Sequence, residues 1–201
     1  MHVFRPFGPT IGKFKLEHSM VIKLNNYVDE KLNANKLQSW GDHLAGQIKN
    51  EFVLPFEELN KLTGVGDFVA AHVRHYVKES TGYEISKCIF RSIWVNQQFK
   101  NEYNPTHWHD GHISGVLYLN IPEDLSQGAI KKGRDTDGKI IFTHGVHQFT
   151  SYSIHPELPE VGSVLIFPHY LMHHVYPFNV EGERRSIAFN IDIDDHIFNV
   201  Y

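Results

Sequence analysis

Residues 105–120 read PTHWHDGHISGVLYLN and place three histidines and one aspartate directly before an apolar segment. Side chains alternate along a strand, so His107 and His109 would face one side while Trp108 and Asp110 face the other. Two imidazoles on one face can bind a metal ion together with a third ligand from elsewhere. Solvated loop histidines also occur in this spacing, so the stretch alone leaves both interpretations open.

The apolar segment belongs to a series of short strand-like runs that begins near residue 89. Each run is bounded by Gly, Pro, Asp or Asn, which is typical of strands joined by turns. The runs are IFRSIWVNQQF, HISGVLYLNI, GKIIFTH, FTSYSI, GSVLIFP and RRSIAFNIDI. They indicate an all-β sandwich or barrel, for which a jelly roll is the natural closed form.

The first half of the chain has helical periodicity instead. Residues 19–32 space their apolar side chains for a helix, with Ser19 as a candidate N-cap. Residues 56–79 do the same, and Gly64 and Gly66 can divide this segment into a short and a long helix.

These two patterns predict an α+β, mainly β fold: a double-stranded β-helix (jelly roll) with N-terminal supporting helices. We expect one domain, residues 1–201, with helical support over about residues 1–88 and a jelly-roll core over about residues 89–201. A chain of 201 residues with 41% hydrophobic and 21% charged residues can bury such a core.

Composition restricts the compartment and the partners. The net charge of −4 argues against a nucleic-acid partner, because such surfaces usually carry a clustered basic excess. The single cysteine, Cys88, excludes an intrachain disulfide and favours a reducing compartment, and its apolar context favours a packing role. Since no run of 18 apolar residues and no signal pattern is present, we expect a soluble, cytoplasmic protein without a membrane partner.

A third metal ligand is available in GSVLIFPHYLMHHVYPF, residues 162–178. His173 and His174 follow a strand and a turn. Adjacent strand residues face opposite sides, so at most one of them can face the HxH pair. The alternative is a pair of turn histidines with no ligand role.

An anion site is indicated by GERRSIAFNIDI, residues 182–193. Arg184 and Ser186 share one face of this strand. A guanidinium offers a fork of donors and a hydroxyl adds another, so the two can hold a carboxylate. A surface arginine pair on an edge strand is the alternative.

The order of HxH, a distant His, and Arg-x-Ser eleven residues later resembles the Fe(II)/2-oxoglutarate-dependent oxygenases over about residues 90–194. More narrowly, NPTHWHDGHISGVLYLNIP, VGSVLIFPHYLMHHVYPF and ERRSIAFN resemble a group of such proteins found in bacteria and marine phages. YLN, HxVxP and the following arginine are loosely similar to prolyl hydroxylases. The resemblance implies a jelly-roll enzyme that uses Fe(II) and the co-substrate 2-oxoglutarate, in the host cytoplasm if it is phage-encoded.

The resemblance also implies roles for individual residues. His107 and His173 fall on the first and the distal metal ligand. Arg184 falls on the residue that pairs with the distal carboxylate of 2-oxoglutarate, and Ser186 would assist it. Tyr118 matches a position whose hydroxyl can reach the same carboxylate, although a role in the barrel core fits it equally well.

The second metal ligand departs from the family pattern. The common triad is two histidines and one carboxylate, but His109 occupies the carboxylate position. Strand alternation favours His109, whereas the chemistry of the family favours a carboxylate, which Asp110 could supply by bending inward; we favour His109. His112 and His174 are candidates for contacts with the ligands or the substrate, and His169 for a turn.

The prediction is therefore a non-haem Fe(II)/2-oxoglutarate-dependent dioxygenase, a hydroxylase that converts 2-oxoglutarate to succinate while oxidising a small-molecule or peptidyl substrate. The loop from Gly128 to Pro156, with His144, His147 and Tyr152, is where we expect substrate choice to be made. One alternative is a cupin-like dioxygenase that uses three histidines without 2-oxoglutarate, and another is a non-enzymatic jelly-roll binding module. A homo-oligomer is left open.

Overall fold

Strands predominate in the structure, a computed structural model that describes residues 1–41, 44, 46–125 and 136–198. The strands of this part of the chain are β1 (His2–Phe4), β2 (Ile11–Lys15), β3 (Asn50–Val53), β4 (Cys88–Gln98), β5 (Asn104–His107), β6 (Ile113–Asn120), β7 (Ile140–Thr143), β8 (Ile154–Glu157), β9 (Ser163–Pro168), β10 (Met172–Val175) and β11 (Arg184–Ile193). The helices are α1 (His18–Asn33), α2 (Phe56–Thr63), α3 (Val65–Thr81) and α4 (Asp195–Phe198). The prediction of a mainly β fold with a few helices is confirmed.

The strands form two antiparallel sheets. The large sheet has the order β1-β2-β9-β6-β11-β4-β3, and the small sheet has the order β5-β10-β7-β8. β11 lies inside the large sheet and pairs with β4 on one side and with β6 on the other. The small sheet contains the β5–β10 pair, which carries the histidine motifs.

The pleat of β6 separates two apolar cores. Seven of its eight residues are buried. Leu117 and Leu119 belong to a core shared with α1, α2 and α3, whereas Val116 and Tyr118 belong to a core shared with Phe142 of the small sheet. Because both faces of the strand are buried, its sequence is apolar almost throughout rather than alternating.

The helices agree with the predicted segments but not with every predicted boundary signal. Gly64 has a φ of 73° and separates α2 from α3, as expected. Gly66 does not break the chain; it lies in α3, where a Cβ would come within 2.7 Å of the Phe56 ring. The N-cap prediction for Ser19 is wrong, because α1 begins at His18 and Ser19 lies inside it. The N-cap position is occupied by Glu17, in extended backbone. In the part of the chain described, no helix combines the length and apolarity needed to cross a membrane.

Several short strands escaped the sequence analysis. β1, β2 and β3 come from the predicted helical half, yet all three join the large sheet. The strand predicted over FTSYSI is displaced, because residues 148–151 form a tight turn in which Gln148 and Ser151 exchange backbone hydrogen bonds. β8 therefore begins only at Ile154 and pairs with β7.

Gly115 of β6 is closely packed against a neighbouring ring and a neighbouring strand, and its replacement by alanine tests this packing. A Cβ there would overlap the Phe189 ring and lie 2.8 Å from the Leu165 carbonyl oxygen, which is backbone and cannot rotate away. We expect Gly115→Ala to lower the free energy of unfolding by about 2 kcal/mol or more. Urea unfolding followed by circular dichroism measures this.

Gly41→Ala is the matched control, since a Cβ there meets only a carboxylate oxygen of Glu51 at 3.7 Å. Its free energy of unfolding should stay within about 1 kcal/mol of the wild type. A Gly115→Ala protein that unfolds at the same urea concentration as the wild type would contradict the packing described here.

Candidate metal and carboxylate site

Three histidine side chains meet in a cavity between the two sheets. His107 at the end of β5 is the register partner of His173 on β10, and His109 lies two residues beyond β5. The ring centroids of His107 and His173 are 4.4 Å apart, and those of His109 and His173 are 5.0 Å apart. Each ring offers one nitrogen, and the three nitrogens lie within 4.8 Å of one another. The HxH pair and one of the two later histidines are therefore brought together, as expected.

Backbone carbonyls orient two of the rings. Nδ1 of His107 lies 2.7 Å from the Pro105 carbonyl oxygen, and Nδ1 of His173 lies 2.8 Å from that of Leu171. A carbonyl can only accept, so each Nδ1 carries the proton and donates it. Each Nε2 is therefore unprotonated and carries a lone pair, which is the form that binds metal ions.

His109 is held by the turn that follows β9. Its backbone N–H donates to the His169 carbonyl at 3.1 Å, and Nδ1 of His169 donates to the His109 carbonyl at 2.9 Å. This pairing keeps the His109 ring turned inward although β5 has already ended. Trp108 and Asp110, on either side of it, are exposed, and Asp110 is not part of the histidine cluster.

Burial keeps the three imidazoles uncharged. It lowers the pKa of His109 to about 3, with further lowering by the neighbouring His107. Burial also lowers the pKa of His173 well below its ordinary value and, less strongly, that of His107. Neutral imidazole is a good ligand for divalent iron. The donor set therefore suits Fe(II) without the loss of a proton.

The spacing of the nitrogens also suits a metal ion. Nε2 of His109 and Nε2 of His173 are 3.2 Å apart. Two imidazoles at right angles on one ion, each at about 2.1 Å, would have nitrogens about 3 Å apart. The residues present therefore fit a divalent ion.

A buried cation lies in the same cavity. Arg184 is 3% exposed. Among the described residues its guanidinium makes one hydrogen bond, from Nη1 to Oε1 of Gln98 at 3.2 Å, and its Nε has no partner. The guanidinium carbon lies 4.9 Å from the Tyr118 ring centre and the two side chains interact electrostatically, but among the described residues the Tyr118 hydroxyl makes no well-formed hydrogen bond. A buried guanidinium without a carboxylate is costly, so this end of the cavity suits an anion.

The register of β11 explains which residues reach the cavity. Arg184, Ser186 and Ala188 line it, whereas Ile187 and Phe189 point to the helix side. Ser186 is the partner of Asn96 on β4 and of Tyr118 on β6. Residues directly opposite each other share a face of the sheet. Asn96 and Trp94 of β4 also line the cavity.

The remaining motif histidines lie outside the cluster. The Ile193 backbone N–H donates to Nδ1 of His112 at 3.0 Å, which gives this ring a structural contact. His174 projects from the opposite face of β10 to His173, with Nδ1 3.5 Å from the Thr106 hydroxyl. Neither ring lines the cavity.

The predicted substrate loop lies only partly within the described residues. Residues 126–135 lie outside the described part of the chain. His144 packs against the Phe7 ring, and His147 packs against the exposed Tyr152. None of these three loop side chains lines the cavity that holds the histidine cluster. Control of substrate choice by this loop stays a prediction.

A buried carboxylate near the cavity was missed in the sequence. Glu51 of β3 is 1% exposed, and neither of its oxygens accepts a hydrogen bond from the residues that the structure describes. Burial, with a smaller contribution from Glu102, raises its pKa to about 7. β3 is only four residues long, and NEFV has no motif that would have indicated a site.

The raised pKa of Glu51 makes folding pH-dependent. The folded state disfavours the charged form, so stability is lost as the pH rises from the ordinary carboxyl range to about 7. We expect Glu51→Gln to be more stable than the wild type at pH 8 by about 1–3 kcal/mol, and the difference to shrink towards pH 5. Urea unfolding at both pH values checks this. Glu123→Gln, at an exposed site, is the control and should show no such pH trend, and an equal effect of Glu51→Gln at both values would contradict the assignment.

Comparison with known families agrees with the site. A family model described as "Putative 2OG-Fe(II) oxygenase" matches residues 92–190, which include the histidine cluster and Arg184. No curated protein sequence shows significant similarity to the chain.

Solved structures resemble this chain in fold. A prolyl-4-hydroxylase of Pseudomonas putida is 15% identical with a TM-score of 0.58, over 90% of this chain and 91% of that one. A prolyl hydroxylase of Trichoplax adhaerens, in complex with a hypoxia inducible factor peptide fragment, is 13% identical with a TM-score of 0.62, over 94% and 86%. HygX of Streptomyces hygroscopicus, with nickel and 2-oxoglutarate bound, is 10% identical with a TM-score of 0.58, over 93% and 83%.

Proposed function

We propose that the chain is a 2-oxoglutarate- and Fe(II)-dependent oxygenase, the family whose model matches residues 92–190, and that it is a hydroxylase with a three-histidine iron site. The observation that carries this proposal is the presence of three neutral imidazoles and an unpaired buried arginine in one cavity. The first group suits the metal ion and the second suits the co-substrate. The enzyme class follows from the family match, whereas the assignment of individual residues to the metal ion and the co-substrate is part of the proposal.

In this proposal His107, His109 and His173 hold the iron. Their protonation and orientation support the assignment, since two of the Nδ1 atoms are occupied by backbone carbonyls and burial keeps the rings neutral. When bound, Fe(II) would supply the oxidising chemistry with dioxygen as the oxidant: one oxygen atom would enter the succinate formed, with carbon dioxide, from 2-oxoglutarate, and the other would enter the hydroxylated substrate. The protein's task is to hold the reactants and to exclude water.

Arg184 holds the distal carboxylate of 2-oxoglutarate, with Tyr118 and Ser186 as further donors. Burial raises the pKa of Tyr118, so its hydroxyl keeps its proton and can donate it to the carboxylate. Nε of Arg184 and the Tyr118 hydroxyl are polar atoms without partners, and a carboxylate would satisfy both. The row formed by Tyr118 and Ser186 lines the cavity beside the guanidinium.

The two facing sheets support a double-stranded β-helix as the scaffold of this site, with the helices as a support on the outer face of the large sheet. We propose a small-molecule or peptidyl substrate, because structures similar in fold carry a peptide fragment or belong to prolyl hydroxylases. A cytoplasmic location and a single domain stay predictions, and the oligomeric state stays open.

An anaerobic titration of Fe(II)-loaded protein with 2-oxoglutarate tests the proposal. The wild type should show the weak visible absorption band of the chelate. His173→Ala should abolish the band because it removes a metal ligand. Arg184→Ala should keep the iron but weaken 2-oxoglutarate binding by about 30-fold or more, the cost of removing one partner of a buried charge pair.

Arg91→Ala is the matched control, because Arg91 is an exposed arginine that pairs with Asp192. It should leave both affinities unchanged. Iron binding without a band at saturating 2-oxoglutarate would favour the cupin-like dioxygenase, for which a site of three histidines is also suitable. A protein that binds no metal would refute the proposal.

A second experiment separates the two candidates for the second ligand. We expect His109→Ala to weaken Fe(II) binding by at least about 100-fold, since losing a direct ligand should cost no less than losing a supporting contact. Asp110→Ala should leave the affinity within a factor of about two, because this side chain is exposed outside the cluster. Competition with a chromophoric chelator measures both affinities. A large loss in Asp110→Ala alone would assign the ligand to the carboxylate.

A further inference from the structure

Within the described ranges, four buried oxygen atoms near the cavity lack hydrogen-bond donors. They are both carboxylate oxygens of Glu51 and the side-chain carbonyl oxygens of Asn96 and Asn104. Glu51 is 1% exposed and Asn96 is 8% exposed. Buried acceptors without partners are rare, because each loses its hydrogen bonds to water. We call these three residues the acceptor cluster.

The acceptor cluster lies on the same sheet face as the co-substrate residues. Glu51 is the register partner of Asn96, and Asn96 is that of Ser186, so their side chains share the inner face of the large sheet. Asn96 and Asn104 line the cavity with the histidines. Neighbouring strands are about 4.8 Å apart, which puts the Glu51 backbone about 10 Å from that of Ser186.

The acceptor cluster also lies near the histidines, because Asn104 and His107 belong to the same strand of the small sheet. Asn104 lies on β5, three residues before His107. A strand rises about 3.3 Å per residue, so the two backbone positions are about 10 Å apart. Backbone positions at this separation would allow one substrate molecule to reach both the acceptor cluster and the proposed iron site.

Gly46 leaves open the space between two members of the cluster. A Cβ at Gly46 would lie 3.1 Å from Oδ1 of Asn104 and 3.5 Å from Oε1 of Glu51. Both oxygens are thus directed towards one small region beside a residue without a side chain. Any larger residue there would fill that region.

The unpartnered atoms of the acceptor cluster are all of one chemical kind. All four unpartnered atoms are acceptors, and one of the groups is a carboxylate. The charged residue that contributes to the raised pKa of Glu51 is Glu102, which is also acidic. A group that satisfies several acceptors and a negative charge must carry several N–H donors and a positive charge.

We propose that Glu51, Asn96 and Asn104 bind a cationic nitrogen group of the substrate, an ammonium or a guanidinium. This assignment rests on the proposed oxygenase function, because it names the substrate class of that site. The site would then combine an arginine for the anionic co-substrate with acceptors for a cationic substrate. The pKa of Glu51, raised by burial, supports the view that its carboxylate lacks a partner in the free protein.

Calorimetric titration with small probes tests the proposal. The protein is loaded with Fe(II) and 2-oxoglutarate without oxygen at pH 8, and the probes are n-butylammonium, n-butylguanidinium and uncharged 1-butanol. At least one cation should bind the wild type tenfold more tightly than 1-butanol. Glu51→Gln should weaken that cation at least tenfold, and Gly46→Ala should weaken it by filling the space. Both variants should bind 2-oxoglutarate as the wild type does.

Glu102→Gln is the control for general electrostatics. Its carboxylate accepts the Phe99 backbone N–H at 2.9 Å and has a partner, so cation binding should change less than threefold. Equal binding of cations and 1-butanol, or equal binding by the wild type and Glu51→Gln, would overturn the proposal. Binding of Ca²⁺ that depends on Glu51 and displaces the cation probes would also overturn it, in favour of a second metal site.

The two proposals fail in different ways. Cation binding that depends on Glu51, in a protein that gives no 2-oxoglutarate band, would refute the oxygenase function and support the acceptor cluster as a cation site. A normal band, with no cation preference, would refute the acceptor cluster and support the oxygenase function.

Discussion

The antiparallel pairing of β11 with β4 and β6 is the constraint on which the rest of the structure depends. Pairing on both sides fixes the pleat of β11, so that Ile187 and Phe189 enter the helix-side core while Arg184 and Ser186 enter the cavity. A slip of one residue would exchange the two sets and bury the wrong one in each core. Burial of Ile187 and Phe189 on one face therefore holds Arg184 and Ser186 in the cavity on the other face.

Charge is distributed in the cavity according to what burial permits. The histidines tolerate burial by staying neutral, whereas Arg184 keeps its charge and lacks a carboxylate in the part of the chain described here. Glu51 responds by a raised pKa. A buried charge without a partner is costly in the free protein, and a ligand of complementary charge would offset that cost. The proposed ligands are the ones that these groups would favour.

Strand alternation made much of the site predictable. The inward direction of His107 and Arg184 follows from the period of two, and only one of two adjacent histidines could join them. For His109 the same period indicated the correct side although β5 ends before it. The hydrogen bonds from His169 that hold His109 beyond the end of β5 were not predictable, because they depend on a turn 60 residues later in the chain. Glu51 was missed for the same kind of reason. Its importance comes from pairing with β4, which no local pattern of a four-residue strand reveals.

The fixed tautomers of the histidine cluster link folding to metal supply. Hydrogen bonds to Pro105 and Leu171 commit the proton to Nδ1 in two rings, so lone pairs of His107 and His173 are held close together. Such lone pairs repel one another until a cation lies between them. In the proposed site a bound ion would remove this repulsion and join the small sheet to the segment that carries His109. The folded population would then rise with the concentration of free divalent metal by mass action.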